Sequence, residues 1–280
     1  MKTRISIPGA LFFSISLLVN WFVLSVFFAI VAPRYAGLLS VLTVLALAGF
    51  SLTRPAEVLV RFYLRCRRPT REEMAQLEGP WNSVLNASGL EERRRPVLFV
   101  SDQQYPNAYA AANRTVCVTR GLLKTGTAEE IEGVLAHEVG HLVHGDTKRR
   151  TVVMMVNTVG NIASWVLLGI LTLIGAGFTL KGIAEDREED VLTGMGVAIF
   201  AFFLKGCLWV LQKLIELGFL AVGRKEEFAA DAYSRELGFA NGLVSFLRKT
   251  EHLDVNPVGV WAVLTASHPP TPVRIDKLMG

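Results

Sequence analysis

Apolar positions along this chain fall into two regimes: long runs that are hydrophobic on every side, and shorter stretches where apolar and polar residues recur with a structural period. The first long run extends from about Ala10 to Ala32 and a shorter second one from Ala36 to Leu52, joined by Pro33-Arg34-Tyr35. A third covers roughly Gly160 to Leu180 and a fourth roughly Val191 to Leu211. About 20 apolar residues in a helix cross the hydrocarbon core of a bilayer, so the pattern predicts four transmembrane helices arranged as two hairpins. Lys205 stands near one end of the fourth run, where its long stem can reach the interface. The first run follows Lys2 and Arg4, as a signal peptide would, but it is longer than a usual apolar signal core and lacks a small-x-small cleavage site. A retained anchor is therefore expected.

The periodic stretches lie between and after the runs. Ile131, Val134, Leu135, Val139 and Leu142 recur at helical spacing, and Thr127 followed by Glu130 has the form of a capping box at the start of that helix. Pro96-Val97-Leu98-Phe99-Val100 and Thr115-Val116-Cys117-Val118 are short β-rich runs around a turn-rich segment. They predict a small sheet beside the helix, with an edge able to pair with an extended peptide. Residues 1–52 are thus expected to form an N-terminal membrane hairpin and 152–211 an inserted second hairpin. Residues 53–151 and 212–280 are expected to form one split domain.

Composition agrees with a membrane protein: 51% of residues are hydrophobic, 19% are charged and the mean hydropathy is +0.38, outside the range of ordinary soluble domains. Charge then orients it. Lys2 and Arg4, the arginines at 54, 61, 65, 67, 68 and 71, Lys148 to Arg150, and Arg224 with Lys225 fall on one side of the four spans, and the acidic loop 185–190 on the other. The positive-inside rule places both termini and residues 53–151 in the cytoplasm of a bacterial-type inner or plasma membrane. A calculated pI near 9.0 invites a nucleic-acid reading, but juxtamembrane basic clusters are explained by topology and by attraction to anionic lipid, so no nucleic-acid partner is expected. Three scattered cysteines imply no disulfide framework.

The chemistry concentrates in His137-Glu138-Val139-Gly140-His141. Residues four apart share a helical face, so two imidazoles can aim at one Zn²⁺ while Glu138 reaches a metal-bound water as general base. A third ligand is needed. Thr147 occupies the place of the third histidine in the metzincin pattern, and His144 lies about 10 Å along the helix axis from His137 at 1.5 Å per residue, too far to converge. Glu227 is the better candidate, in a second i, i+4 pair with Asp231, where one carboxylate can ligate zinc and the other accept the outer N–H of a ligand histidine. Two spans separate His141 from Glu227, an even number, so both lie on the same side of the membrane. A structural helix with buried histidines and a charged surface helix are the bland readings of these pairs.

Taken with Val118-Thr119-Arg120-Gly121-Leu122-Leu123, Glu132 to His141 with Asp146 following, Glu227-Phe228-Ala229-Ala230-Asp231, and Ser267-His268-Pro269-Pro270-Thr271 with Arg274, the chain resembles the HtpX-type membrane zinc metallopeptidases, relatives of the CAAX prenyl proteases. The resemblance covers nearly the whole chain. It implies a cytoplasmic zincin-type (gluzincin) peptidase domain, one Zn²⁺ held by His137, His141 and Glu227, Glu138 as base, and quality control of unfolded or membrane protein substrates. Asn107-Ala108-Tyr109-Ala110 is similar to the family's Asn-Ala-aromatic-Ala strand, with Ala111-Ala112-Asn113 where a glycine often follows. Asn107, His268 and Arg274 are candidates for holding substrate or an oxyanion, and Asp231 for orienting a ligand. The alternative function is a zinc-containing membrane scaffold that binds clients without cutting them. A transporter would need ionisable residues facing a pathway between spans, and the lone Lys205 with the polar pair Asn157 and Asn161 is too few.

Overall fold

The computed structural model describes residues 7–251 and 269–280. His268 falls outside the described residues. Two compact units emerge, one comprising Gly49–Val152 and Phe219–Gly280, the other Ala10–Ala48 and Val153–Gly218.

Among the described residues, four helices are long and apolar enough to cross a membrane. They are α1 (Ile7–Val31), α2 (Ala36–Ser51), α7 (Asp146–Ala184) and α8 (Glu188–Glu236), the first two joined by a 3-10 turn at Pro33–Tyr35. In the apolar unit, Val23 and Leu24 of α1, Val44 of α2, Ala163 of α7 and Leu208 of α8 form a shared core, while large apolar residues such as Leu173, Phe202 and Phe203 stay exposed, as lipid-facing positions do. Helices in lipid gain from polar contacts between them. Here Asn20 donates to Asn157 Oδ1 at 2.6 Å and the Ser16 hydroxyl to the same oxygen at 3.0 Å. Lys205 does not reach out to an interface as its place at the end of an apolar run suggests, because α8 runs on past it. Its ammonium donates to Ser164 Oγ at 2.8 Å and sits 4.3 Å from the Trp165 ring.

The other unit holds a four-stranded sheet in the order β1-β2-β4-β3, from β1 (Cys66–Arg67), β2 (Val97–Ser101), β3 (Ala108–Ala111) and β4 (Thr115–Thr119). β2 and β4 run parallel, from Val97 opposite Thr115 to Ser101 opposite Thr119. The outer pairs are antiparallel, β3 placing Ala108 opposite Val118. β4 is buried along its whole length, and β3 is an edge. The other α-helices among the described residues are α3 (Arg54–Tyr63), α4 (Arg71–Ser88), α5 (Arg120–Thr125), α6 (Ala128–His144), α9 (Ala240–Thr250) and α10 (Thr271–Met279).

α6 is the central element. Thr127 Oγ1 accepts the Glu130 N–H at 3.2 Å while the Glu130 carboxylate accepts the Thr127 N–H at 2.9 Å, which closes the capping box. The helix stops at Gly145, whose φ of 77° is the left-handed conformation that ends helices. Ile131, Val134, Leu135 and Val139 bury against Leu77 and Val84 of α4, Val116 and Val118 of β4, and Leu243 and Leu247 of α9. α9 comes so close that a Cβ on Gly242 would lie 1.9 Å from the Glu129 carbonyl oxygen, and one on Gly133 2.2 Å from the Leu243 nitrogen. The two glycines let the backbones touch and fix where α6 stands.

Candidate active site

Helical periodicity sets the apolar positions of α6 into the core and brings His137, Glu138 and His141 out together at its buried end. All three are under a tenth exposed. Glu227 and Asp231 come from the C-terminal part of α8, one turn apart on one face. The Glu227 carboxylate meets both histidines, Oε2 at 3.5 Å from His137 Nε2 and Oε1 at 3.3 Å from His141 Nε2. One ligand atom from each of these three residues lies within 4.8 Å of the other two.

The far side of each imidazole is held by a carboxylate. His137 Nδ1 lies 2.9 Å from Asp231 Oδ1 and His141 Nδ1 3.2 Å from Asp146 Oδ2. With the Nδ1–H donated outward in each ring, both Nε2 atoms are turned toward Glu227. Asp231 is itself gripped by Arg274 of α10, whose Nε and Nη2 donate at 2.9 and 2.6 Å. Arg274 Nη1 also stands 3.6 Å from Glu227 Oε2. Asp146 accepts from Arg149, which extends to Glu226 at 2.9 Å.

These contacts set the protonation behaviour. Burial opposes a positive His141, yet its hydrogen bonds to Asp146 and Glu227 outweigh that and push its pKa up to about 10. Burial likewise opposes charge on His137, and Asp231 and Glu227 raise it nonetheless. For Asp231, burial works against the carboxylate while Arg274 and His137 hold its pKa below the usual range. Four buried carboxylates, Glu138, Asp146, Glu227 and Asp231, lie about the two imidazoles, and the buried guanidinium of Arg274 meets Glu227 and Asp231. Two imidazole nitrogens and a carboxylate oxygen, brought together in a buried, carboxylate-rich pocket, suit a divalent cation of the zinc type.

Glu138 is anchored differently. Its Oε2 accepts the Ala110 N–H at 2.6 Å, so the edge strand β3 sets the carboxylate's position beside the histidines. Asn107 stands at the exposed start of β3, where its Oδ1 accepts the Ala108 N–H at 2.9 Å and its own N–H donates to Thr119 Oγ1 at 2.9 Å. In the stretch 111–113, Ala112 takes a φ of 51°, a left-handed conformation that glycine adopts without strain. Asp146, just after the histidine block, has no role that the sequence alone makes legible. Its only signal is an acid directly beyond the glycine that ends α6.

A helix presenting His-Glu-x-x-His with a carboxylate from a later helix, on a chain with four membrane-type helices, defines a membrane-bound metallopeptidase architecture. The chain belongs to peptidase family M48, whose family model matches residues 71–280, and within it is of the HtpX type. It is 28% identical over 270 residues to the protease HtpX homolog of Dictyoglomus turgidum, covering 86% of this chain and 81% of that one. It is also 28% identical over 277 residues to the protease HtpX homolog of Tropheryma whipplei, covering 90% and 89%. Among solved structures, S. mikatae Ste24p shares the fold with a TM-score of 0.53 at 18% identity, over 96% of this chain. The chain spans 64% of that longer one.

Proposed function

We propose that this metallopeptidase is a zinc endopeptidase in which His137, His141 and Glu227 hold one zinc ion and Glu138 is the general base. Unfolded or membrane-embedded proteins are its substrates, in protein quality control. The observation that carries the reading is the meeting of Glu227 with two Nε2 atoms whose rings are fixed from behind by Asp146 and Asp231. A bound zinc ion supplies Lewis acidity, polarising a scissile carbonyl and acidifying water.

The protein's own groups do the rest. Asp146 and Asp231 hold the two rings by their Nδ1 atoms and so aim each Nε2 at Glu227, and Arg274 holds Asp231 in place. Glu138, steadied at Oε2 by the Ala110 amide, takes a proton from the attacking water and delivers it to the leaving amine. The open side of β3 receives an extended peptide by main-chain pairing, which carries the scissile bond past Glu138. Such pairing needs substrate without tertiary structure, and this favours unfolded segments. Asn107, at the start of β3, is placed to meet the same peptide. By the distribution of basic residues, the site faces the cytoplasm.

The test compares the detergent-purified chain with Glu138→Gln and Glu227→Ala for zinc content and cleavage of an unfolded model protein. The wild type is expected to hold one zinc and cut, Glu138→Gln to keep zinc and slow by roughly 10²- to 10⁴-fold, and Glu227→Ala to lose zinc. Undiminished turnover in Glu138→Gln would overturn the assignment, and zinc without cleavage in the wild type would leave a non-cleaving scaffold.

A further inference from the structure

The helix α3 buries one face against the sheet, and its opposite, apolar face has no partner among the described residues. On the inner face Ala56, Glu57 and Val60 are buried. The Glu57 carboxylate accepts from the Thr115 hydroxyl at 2.8 Å and the Arg114 N–H at 3.1 Å, and the carbonyl of Leu64, just past the helix, accepts the Tyr109 hydroxyl at 3.1 Å. The helix is thereby seated on β3 and β4. On the outer face, Val58, Leu59, Phe62 and Tyr63 follow each other at helical spacing with exposures of 54%, 54%, 82% and 79%. Water is a poor solvent for such a patch on a seated helix.

Two features say what covers it. Only Leu52 and Thr53 separate α3 from Ser51, the end of the second membrane-type helix, so α3 starts within a residue or two of a bilayer surface. The patch is also bracketed by Arg54 and Arg65, both exposed and neither with an ion-pair partner among the described residues. Phe and Tyr on one face of a short helix with arginines at its ends are the makings of an interfacial helix: rings at the acyl boundary, guanidinium groups on phosphates.

We propose that α3 lies in the membrane interface, with its outer face taken up by acidic phospholipid. The contact is separate from the catalytic assignment and stands or falls without it. It also reaches toward the site, since Tyr109, which bonds to the end of α3, adjoins Ala110, which holds Glu138.

The experiment places a photoreactive benzoylphenylalanine at position 62, and in turn at 58, 59 and 63, in the full chain. The protein is reconstituted in vesicles of phosphatidylcholine alone or mixed with phosphatidylglycerol, and the adducts are identified by mass spectrometry. The expected products are phospholipid adducts at all four positions. Phosphatidylglycerol should be over-represented relative to its share of the bilayer, and Arg54→Gln with Arg65→Gln should cut that excess by roughly fivefold or more. Adducts only to a second copy of the chain or to a co-purified protein, or no adduct at all, would overturn the proposal. Lipid adducts in proportion to bilayer composition and unchanged by the arginine substitutions would overturn its acidic-lipid part.

Discussion

His141 owes its orientation to Asp146, which reaches Nδ1 at 3.2 Å from the far side of the turn at Gly145. Removing that carboxylate while keeping its shape isolates the effect. Asp146→Asn is expected to weaken zinc affinity about 10- to 100-fold, as losses of such outer partners do, measured by competition with a chromophoric chelator, whereas Glu138→Gln leaves affinity within a few-fold of wild type. Equal affinities for Asp146→Asn and wild type would show that the ring is fixed by something else. The sequence made the two i, i+4 pairs readable because residue spacing on a helix is local geometry. It could not show Asp146, because that contact depends on the angle at which the chain leaves a left-handed glycine. Nor could it show the Ala110 amide on Glu138, which depends on how a strand edge lies against a helix. Arg274 stood out only by family resemblance, since its partner Asp231 comes from a different helix.

Between whole elements, the touching backbones of α6 and α9 decide where the histidines stand. A methyl group on Gly242 would meet the Glu129 carbonyl at 1.9 Å with only backbone to yield, so Gly242→Ala must push the helices apart. The expected cost is about 2 kcal/mol or more with loss of metal affinity, against about 1 kcal/mol and full affinity for Gly89→Ala, where φ is +59° and the space is open. Thermal unfolding in detergent with metal titration measures both, and equal costs would deny the close approach. A second joint ties β1 to α4: Arg67 grips Glu73 through two 2.7 Å hydrogen bonds, which lowers the Glu73 pKa to about 2. A carboxyl depressed in the folded state stabilises above its unfolded value, near 4.3, and that contribution fades as pH falls toward 2. Glu73→Gln should therefore lose about 1 to 2 kcal/mol at neutral pH and show a flatter decline in unfolding midpoint between about pH 5 and 3. A decline as steep as that of wild type would refute the linkage. The capping box of α6 and the runs that became β2 and β4 were visible in sequence because caps and β-rich runs are local signals. The two-residue β1 was not, since it exists only by pairing with β2, and α7 and α8 outrun their apolar runs because polar helix-formers continue each helix at its ends.

The whole chain must satisfy one topological condition. α6 ends where α7 begins, α7 and α8 carry the third and fourth apolar runs, and the end of α8 supplies Glu227 to the histidines of α6. A site assembled this way requires an even number of crossings between its two halves, whichever face of the membrane it occupies. Composition could announce a membrane protein and spacing could announce a metal helix, but only this parity joins them, and parity is countable from sequence without knowing any contact. It makes a prediction that does not rest on catalysis. In a cysteine-free background, single cysteines replacing Glu91, Glu185 and Gly280, all exposed, are treated with a membrane-impermeant maleimide in intact cells and again after permeabilisation. Positions 91 and 280 are expected to react only after permeabilisation, consistent with the basic residues flanking their side, and position 185 to react in intact cells. The reverse pattern would invert the orientation and leave the site intact, whereas 91 and 280 on opposite faces would mean that α7 and α8 do not both span, and the membrane account of the site would fail.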